Sequence, residues 1–282
     1  MKEKFNFGNF LLSAVKCAGY LAIYFLVNIV ASIPPLAAAN SNSTPEQLIE
    51  ALNKSAIPIT LLTNAVFILL TAIYYNKISR TAIFSERVKI QPFNKKALPY
   101  IVCLGVCVIY SVNLIISLAI TFIPMPKEWI DMLNSNSEMI LSSSAFMQIL
   151  TVGIVGPIAE ELLFRGLMLG SLSKHCNKWL AIIATSLVFG LVHGHPIAII
   201  YASFLGILMG WLYCKTESLL APIIFHIIYN LFSVLSPITS GIGYLIAGAM
   251  GTVISVSCII MIAKIPKYTP PTSNDDNNND EV

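Results

Sequence analysis

Long apolar runs recur along most of this chain, separated by short polar stretches. A helix needs about 20 apolar residues to cross a bilayer, because each residue adds about 1.5 Å along the helix axis. The runs that approach this length lie near residues 10–33, 56–75, 98–123, 145–173, 179–194, 196–214, 218–236 and 240–263. The pattern predicts an all-α fold: a polytopic transmembrane helical bundle of about eight spans.

The overall composition agrees with this membrane interpretation. Of the 282 residues, 56% are hydrophobic and 11% are charged, and the mean hydropathy is +0.76. Soluble globular domains carry roughly twice this share of charged residues, about 25%. The net charge of +3 does not indicate a nucleic-acid partner, because in a membrane protein the position of basic residues matters more than their sum. We therefore expect the lipid bilayer as the surroundings and no nucleic-acid partner.

Basic residues are concentrated in alternate connections between the apolar runs. These residues are Lys2, Lys4, Lys77, Arg80, Arg87, Lys89, Lys95, Lys96, Lys174, Lys178, Lys215, Lys264 and Lys267. The opposite connections carry only Lys54 and Lys127. Because Lys and Arg stay on the cytoplasmic side in short loops, an even number of spans with both termini in the cytoplasm fits every connection. We expect an integral protein of a bacterial cell membrane, a source that the compact chain favours.

Three parts of the chain are expected. Residues 1–144 form N-terminal transmembrane helices and loops without a motif that can be placed. Residues 145–263 form a transmembrane core that holds the polar residues discussed next. Residues 264–282 end in "TPPTSNDDNNNDEV", which is polar, acidic and free of aromatic residues, and this composition predicts a disordered cytoplasmic tail.

Three charged residues interrupt the fourth apolar run, in "GPIAEELLFRGLMLGSL" at residues 156–172. Charges at membrane depth are costly, so Glu160, Glu161 and Arg165 need a partner or a function there. Glu161 and Arg165 are four residues apart and share a helix face, where they can neutralise each other. Glu160 points about 100° away from that face and is left without this partner.

Two other runs bring polar side chains to a similar depth. His193 lies near the end of the fifth run, and His226 and Asn230 lie one helical turn apart in the seventh. At helical rise, Glu160 and His193 are each roughly 20 Å from the cytoplasmic end of their span, and His226 is roughly 12 Å from its own. Phe189 precedes His193 by four residues and can wall the same cavity. The spacing predicts an intramembrane polar site.

These residue types suit the hydrolysis of a peptide bond. Glu160 can accept a proton from water, because a carboxylate held away from bulk solvent is a stronger base. His193 can hold that water or pass the proton to the leaving amine. His226 and Asn230 can donate hydrogen bonds to the oxyanion that forms when the carbonyl is attacked. The alternative is an interhelical polar network that only fixes packing, and the shared depth favours a site.

The motifs resemble those of the CPBP intramembrane endopeptidases, a family that includes type II CAAX prenyl proteases and the Abi proteins. The Glu-Glu-x-x-x-Arg motif of that family is similar to "EELLFR" at residues 160–165. Its Phe-x-x-x-His motif matches "FGLVH" at 189–193, and its His-x-x-x-Asn/Asp motif matches "HIIYN" at 226–230. The order agrees, and the similarity covers roughly residues 145 to 236, about a third of the chain.

This resemblance implies an eight-span helical fold and a glutamate-type mechanism. Glu160 and His193 would activate water, while His226 and Asn230 would stabilise the oxyanion. The expected supporting residues are Glu161, Arg165 and Phe189. We expect no cofactor. Zinc is the second choice, for which Glu160, Glu161, His193 and His226 are the available ligands, and the chain lacks a His-Glu-x-x-His sequence.

The expected function is therefore an intramembrane endopeptidase that acts on a membrane-associated peptide or protein. A bacterial leader peptide, pheromone-like peptide or bacteriocin is favoured over a prenylated protein. The competing hypothesis is a membrane immunity or scaffold protein that keeps the family fold and binds a partner without cleaving it. A transporter is a weaker alternative, because no pair of interrupted helices recurs in the two halves of the chain.

Overall fold

A computed structural model describes residues 7–38, 43–74, 90–141, 143–235 and 242–269. Within these ranges the regular structure is helical and contains no strand. The helices of this part of the chain, with the bent fourth span counted as one, are α1 (Phe7–Ala38), α2 (Pro45–Ile73), α3 (Leu98–Phe122), α4 (Lys127–Leu141), α5 (Ala145–Leu172), α6 (Lys178–Leu191), α7 (Pro196–Thr216), α8 (Leu220–Leu235) and α9 (Ile242–Lys264). The predicted all-α fold class is confirmed.

Six of the described helices are long and apolar enough to cross a membrane, namely α1, α2, α3, α5, α7 and α9. The protein is therefore an integral membrane protein. Helices α6 and α8 are apolar but shorter, with 14 and 16 residues. Each predicted run overlaps one of these eight helices, but the number of eight membrane crossings stays a prediction.

Helix α4 was not predicted. It has 15 residues, with polar and apolar positions mixed in "KEWIDMLNSNSEMIL", so it does not stand out as an apolar run. It begins after Pro126, whose carbonyl accepts a hydrogen bond from the Trp129 amide at 3.1 Å. The helix occupies part of the connection between α3 and α5.

Three helix termini that were predicted to face the cytoplasm, namely the end of α7, the start of α3 and the end of α9, lie together at one end of the bundle. Lys215, at the end of α7, donates to the Ala263 carbonyl in α9 at 2.7 Å. Asn94, just before α3, donates to the Pro266 carbonyl after α9 at 3.1 Å. The basic residues Lys2, Lys4, Lys77, Arg80, Arg87 and Lys89 lie outside the described residues, as do residues 270–282 of the predicted tail.

Helix α5 is not a regular α-helix. Wide π-type turns occupy Ile149–Val155 and Leu162–Leu169, on either side of the α-helical turn Gly156–Glu161. The Gly156 amide bonds to the Thr151 carbonyl five residues back, and a Cβ at position 156 would lie 2.8 Å from that oxygen. Pro157 cannot donate an amide hydrogen bond. Such widened turns frequently occur at functional sites, and this one directly precedes Glu160.

Helices α5 and α7 lie at the centre of the bundle. In the most apolar 18-residue stretch of each helix, 50% of α5 and 56% of α7 is buried inside the protein, compared with 11% of α1. Helix α5 packs against α1, α2, α6, α7 and α8, while α3 packs against α8 and α9. The charged residues of α5 are therefore surrounded by protein.

Candidate active site

Glu161 and Arg165 form a buried ion pair one turn apart on α5. Arg165 Nη1 donates to Glu161 Oε1 at 2.8 Å, and the two side chains are 2% and 0% exposed. Arg165 Nη2 also donates to the Gly206 carbonyl on α7 at 3.0 Å. The guanidinium carbon lies 4.6 Å from the centre of the Phe189 ring. The predicted pairing of Glu161 with Arg165 is thus present in the structure.

His226, on α8, lies between the two adjacent carboxylates. Its Nδ1 is 3.0 Å from Glu161 Oε1, the same oxygen that receives Arg165, and its Nε2 is 3.8 Å from Glu160 Oε2. Because a carboxylate paired with arginine can only accept, Nδ1 carries the hydrogen and donates it. Glu161 therefore fixes the orientation of the His226 ring, a role that the sequence analysis did not assign to it.

Glu160 is the more accessible of the two carboxylates, with a side chain that is 27% exposed. Its Oε2 faces His226 Nε2. With the Nδ1 hydrogen donated to Glu161, a neutral ring would turn its Nε2 lone pair toward the Glu160 oxygen, and the two would repel. A proton on either atom removes this repulsion and creates an attraction. At 3.8 Å the two atoms face each other without forming a hydrogen bond.

His193 lies in the turn directly after α6, near the end of the fifth predicted run. Helix α6 ends at Leu191, because Gly194 adopts a φ of +82°, a left-handed conformation that terminates helices. The His193 Nδ1 lies 2.7 Å from the Phe189 carbonyl oxygen and donates to it. The Nε2 of a neutral ring is then the acceptor. His193 is half-buried.

The Phe189 ring joins the three motifs. It is 2% exposed, and its centroid lies 5.0 Å from the Phe164 ring, 4.8 Å from the His193 ring and 6.0 Å from the His226 ring, each in an edge-to-face arrangement. Arg165 covers its face. A single buried aromatic side chain thus holds both histidines and the arginine in place.

Asn230 also faces α5 but makes a different contact. Its Nδ2 donates to the Val152 carbonyl at 2.8 Å, in the first widened turn of that helix. His226 and Asn230 therefore point toward the same helix, as their spacing predicts. An amide NH₂ has two hydrogens, so this contact leaves the second one for another acceptor.

Two pairs of polar side chains join α1 to α2, and the sequence analysis missed them. Tyr24 donates from its hydroxyl to Asn64 Oδ1 at 2.9 Å, and Asn28 Nδ2 lies 3.4 Å from Thr63 Oγ1. Thr63 and Asn64 are almost fully buried, at 0% and 1% exposure. The available signal was the adjacent Thr and Asn within an otherwise apolar run.

The donor arrangement does not fit zinc, the second choice of the sequence analysis. Glu161 Oε1 already accepts from Arg165 and His226, so Oε2 is the atom of that carboxylate that has no hydrogen-bond partner among the described residues. Among the described residues, no three His, Cys, Asp or Glu side chains are grouped so that they could hold a metal ion. A zinc site needs three or four such ligands.

Known proteins resemble the part of the chain that contains these residues. Residues 142–232 match the family described as type II CAAX prenyl endopeptidase Rce1-like. YdiL of Bacillus subtilis (strain 168), provisionally named a membrane peptidase, is 31% identical over 104 residues, which cover 36% of this chain and 43% of YdiL. The UPF0177 protein YxdF of Lactococcus lactis subsp. lactis (strain IL1403) is 35% identical over 82 residues, covering 29% of this chain and 45% of YxdF.

These similarities confirm the resemblance to the CPBP intramembrane endopeptidases for the segment that carries the three motifs. The chain spans less than half the length of the two relatives it matches. No solved structure matches it significantly.

Proposed function

We propose that this integral membrane protein, with its Rce1-like segment, is an endopeptidase that hydrolyses a peptide bond in a membrane-associated peptide or protein. The observation that carries the proposal is the position of His226, which contacts both Glu160 and Glu161. This contact joins the first and third motifs, and Phe189 of the second motif packs against the same histidine ring. In the proposal, this accessible carboxylate, the two histidines and the Asn230 amide act on the same peptide bond.

Glu160 is the proposed general base. It is partly exposed, while Glu161 is fully buried and neutralised by Arg165. Glu160 takes a proton from water, and the water oxygen forms a bond to the carbonyl carbon of the peptide. The His193 Nε2, left as an acceptor by the Nδ1 contact with Phe189, holds the same water by accepting its second hydrogen.

His226 and Asn230 are the proposed oxyanion donors. Because Nδ1–H of His226 is engaged with Glu161, the ring can donate to substrate only when Nε2 is also protonated. The resulting imidazolium is stabilised by the Glu161 carboxylate. The second amide hydrogen of Asn230 supplies another donor, and the contact with Val152 holds that amide in place. The tetrahedral intermediate then breaks its C–N bond as Glu160 returns the proton to the amine nitrogen.

The substrate belongs to the peptides and proteins that reside in or on the bilayer, because Glu160 lies on α5, one of the helices long and apolar enough to cross it. Within this class we favour bacterial leader or signalling peptides and bacteriocins. The cell membrane of a bacterium, with both termini in the cytoplasm, is the proposed location.

The test is cleavage of a library of hydrophobic reporter peptides by the purified full-length protein in detergent. Glu160→Gln keeps the shape of the side chain and should lower the cleavage rate by about 10²- to 10⁴-fold, the usual contribution of a general base. His226→Gln should also abolish most activity. Glu128→Gln, which changes an exposed carboxylate of α4, is the matched control and should leave the rate unchanged.

Each other outcome has a distinct meaning. Equal cleavage by wild type and Glu160→Gln would overturn the glutamate mechanism. Activity lost to a zinc chelator and restored by zinc would overturn the metal-free mechanism. Absence of cleavage by folded wild type across the library would favour the membrane immunity or scaffold alternative, in which the protein binds a partner.

A further inference from the structure

Asn64 is a buried polar side chain that none of the three motifs includes. It lies on α2 within a candidate membrane span and is 1% exposed. Among the described residues, its amide makes one hydrogen bond, the one that it accepts from the Tyr24 hydroxyl on α1. The NH₂ group of Asn64 is therefore a donor without a hydrogen-bond acceptor among those residues. An amide donor within a candidate membrane span is stabilised when an acceptor bonds to it.

The NH₂ group of Asn64 and the carboxylate of the proposed base both lie close to Gly156. An ideal Cβ at position 156 would lie 3.6 Å from Asn64 Nδ2 and 3.9 Å from Glu160 Oε1. Gly156 thus leaves a small notch that both groups border. Glu160 Oε2 faces His226 on its other side, so Oε1 is the oxygen that turns toward α2.

Tyr24 fixes the orientation of the Asn64 amide. Its hydroxyl donates to Oδ1 at 2.9 Å, which leaves Nδ2 as the amide atom that borders the Gly156 notch. The opposite orientation would bring the amide oxygen toward a carboxylate and repel it. The Tyr24 hydroxyl itself interacts electrostatically with Glu160, which shows that the two helices N-terminal to the motifs reach the site.

We propose that Asn64 is a positioning residue for Glu160: its NH₂ donates across the Gly156 notch to the Glu160 carboxylate and holds it toward the substrate. The inference rests on the proposed role of Glu160 as the base. A small rotation of the partly exposed Glu160 side chain closes the remaining distance. The hydrogen bond leaves the carboxylate ionised and limits its motion, so it acts on the rate of the chemical step more than on substrate binding.

The groups that face Glu160 come from several helices. His226 on α8 approaches Oε2, and Arg165 on α5 interacts with the carboxylate electrostatically. Tyr24 approaches from α1. Asn64 adds a neutral donor from α2. Of these four groups, Asn64 is the one whose removal leaves both the ionisable side chains and the Tyr24 hydroxyl in place.

The first experiment compares peptide cleavage by Asn64→Leu with that by Thr63→Val in the full-length protein. Thr63 lies at the same interface of α1 and α2, where it contacts Asn28, so Thr63→Val removes an interhelical hydrogen bond that does not approach Glu160. Asn64→Leu should lower kcat by about 10- to 100-fold with KM within about twofold, as expected for a lost hydrogen bond to a charged group. Thr63→Val should leave both unchanged. Asn64→Gln should recover part of kcat, and Tyr24→Phe should lower it by a smaller factor.

The second experiment does not depend on peptidase activity. A hydrophobic carbodiimide reacts with protonated carboxyl groups in membrane proteins, and mass spectrometry identifies the labelled residue. Asn64→Leu should label Glu160 about tenfold faster than wild type or Thr63→Val, because the ionised form has lost a donor.

The two experiments separate the two proposals. If wild type cleaves peptide and Asn64→Leu matches Thr63→Val in kcat, the role of Asn64 is overturned while the endopeptidase remains. If wild type cleaves nothing, the proposed function fails for these peptides and the labelling rate alone decides: a faster reaction of Glu160 in Asn64→Leu supports the contact, and equal rates overturn it. If Asn64→Leu does not fold, both measurements are made on Tyr24→Phe instead. A kcat and a labelling rate equal to those of wild type would then overturn the proposal.

Discussion

Removing one partner of the buried Glu161–Arg165 pair should lower stability much more than removing both partners together. Glu161→Gln keeps the side-chain shape but removes the negative charge beside Arg165, whose side chain is 2% exposed. Breaking a buried pair by removing one partner costs about 3–5 kcal/mol, because the other charge stays buried without compensation. Adding Arg165→Met removes that remaining charge. The double variant should therefore be more stable than Glu161→Gln alone.

The pair Glu50–Lys54 supplies the matched control. Its charges have the same four-residue spacing and lie 2.7 Å apart, but the side chains of Lys54 and Glu50 are 75% and 64% exposed. Exposed pairs contribute little, so Glu50→Gln should not change stability measurably. Unfolding by SDS in mixed micelles, followed by tryptophan fluorescence, gives the free energies. If Glu161→Gln behaves like Glu50→Gln, or if the effects of the two core substitutions simply add, the reasoning from burial is refuted.

Three further predictions concern the site and its support. Asn230→Leu should lower the single-turnover cleavage rate by about 10²- to 10³-fold, because an oxyanion donor is lost. Phe232→Leu, on the exposed side of the same helix, should leave that rate unchanged. Equal rates for the two variants would exclude Asn230 from the oxyanion site. Gly190→Ala would bring a Cβ within 2.5 Å of the Ile199 carbonyl and should destabilise the protein in the SDS assay by about 1–3 kcal/mol or more, whereas Gly19→Ala, with no atom within 4 Å, should not. Cleavage should keep its rate after dialysis against a zinc chelator, and a loss reversed by zinc would contradict the donor arrangement of the site.

The sequence patterns predicted the positions of the spanning helices and the contacts between residues four apart on one helix. The apolar runs located the helices, because a span must be long and apolar wherever lipid surrounds it. The spacing of Glu161 and Arg165 predicted their contact, because residues four apart share a helix face and buried charges need partners. The same spacing placed His226 and Asn230 toward one neighbour, which is α5 in the structure.

Features that depend on backbone conformation were not predictable from these patterns. The predicted end of the fifth run, residue 194, lies three residues beyond the end of α6 at Leu191, because hydropathy does not show where the last helical turn stops. The widened turns of α5 follow from amide bonds such as that from Gly156 to Thr151, which hydrophobic periodicity does not reveal. Helix α4 was not predicted because its apolar residues are interrupted by polar ones.

Contacts between distant segments were also beyond the reach of the sequence. His226 and Glu161 are 65 residues apart, and nothing in either motif says that one carboxylate oxygen serves both an arginine and a histidine. Asn64 and Tyr24 carry no recognisable motif, and their relation to Glu160 depends on how α1 and α2 pack against α5. These long-range contacts turn a set of candidate residues into a site with defined hydrogen-bond roles.

The charge balance of the site explains how one arrangement can both tolerate burial and prepare hydrolysis. Two carboxylates and one arginine leave a net charge of −1, which is costly where protein replaces water. One additional proton, held between Glu160 and His226, makes the group neutral and replaces the repulsion across their 3.8 Å separation by attraction. When that proton lies on His226, Glu160 is ionised and can act as a base, while Nε2–H can donate to an oxyanion. The proposed reaction thus needs the additional proton on His226, and the same proton offsets the net charge of the buried group.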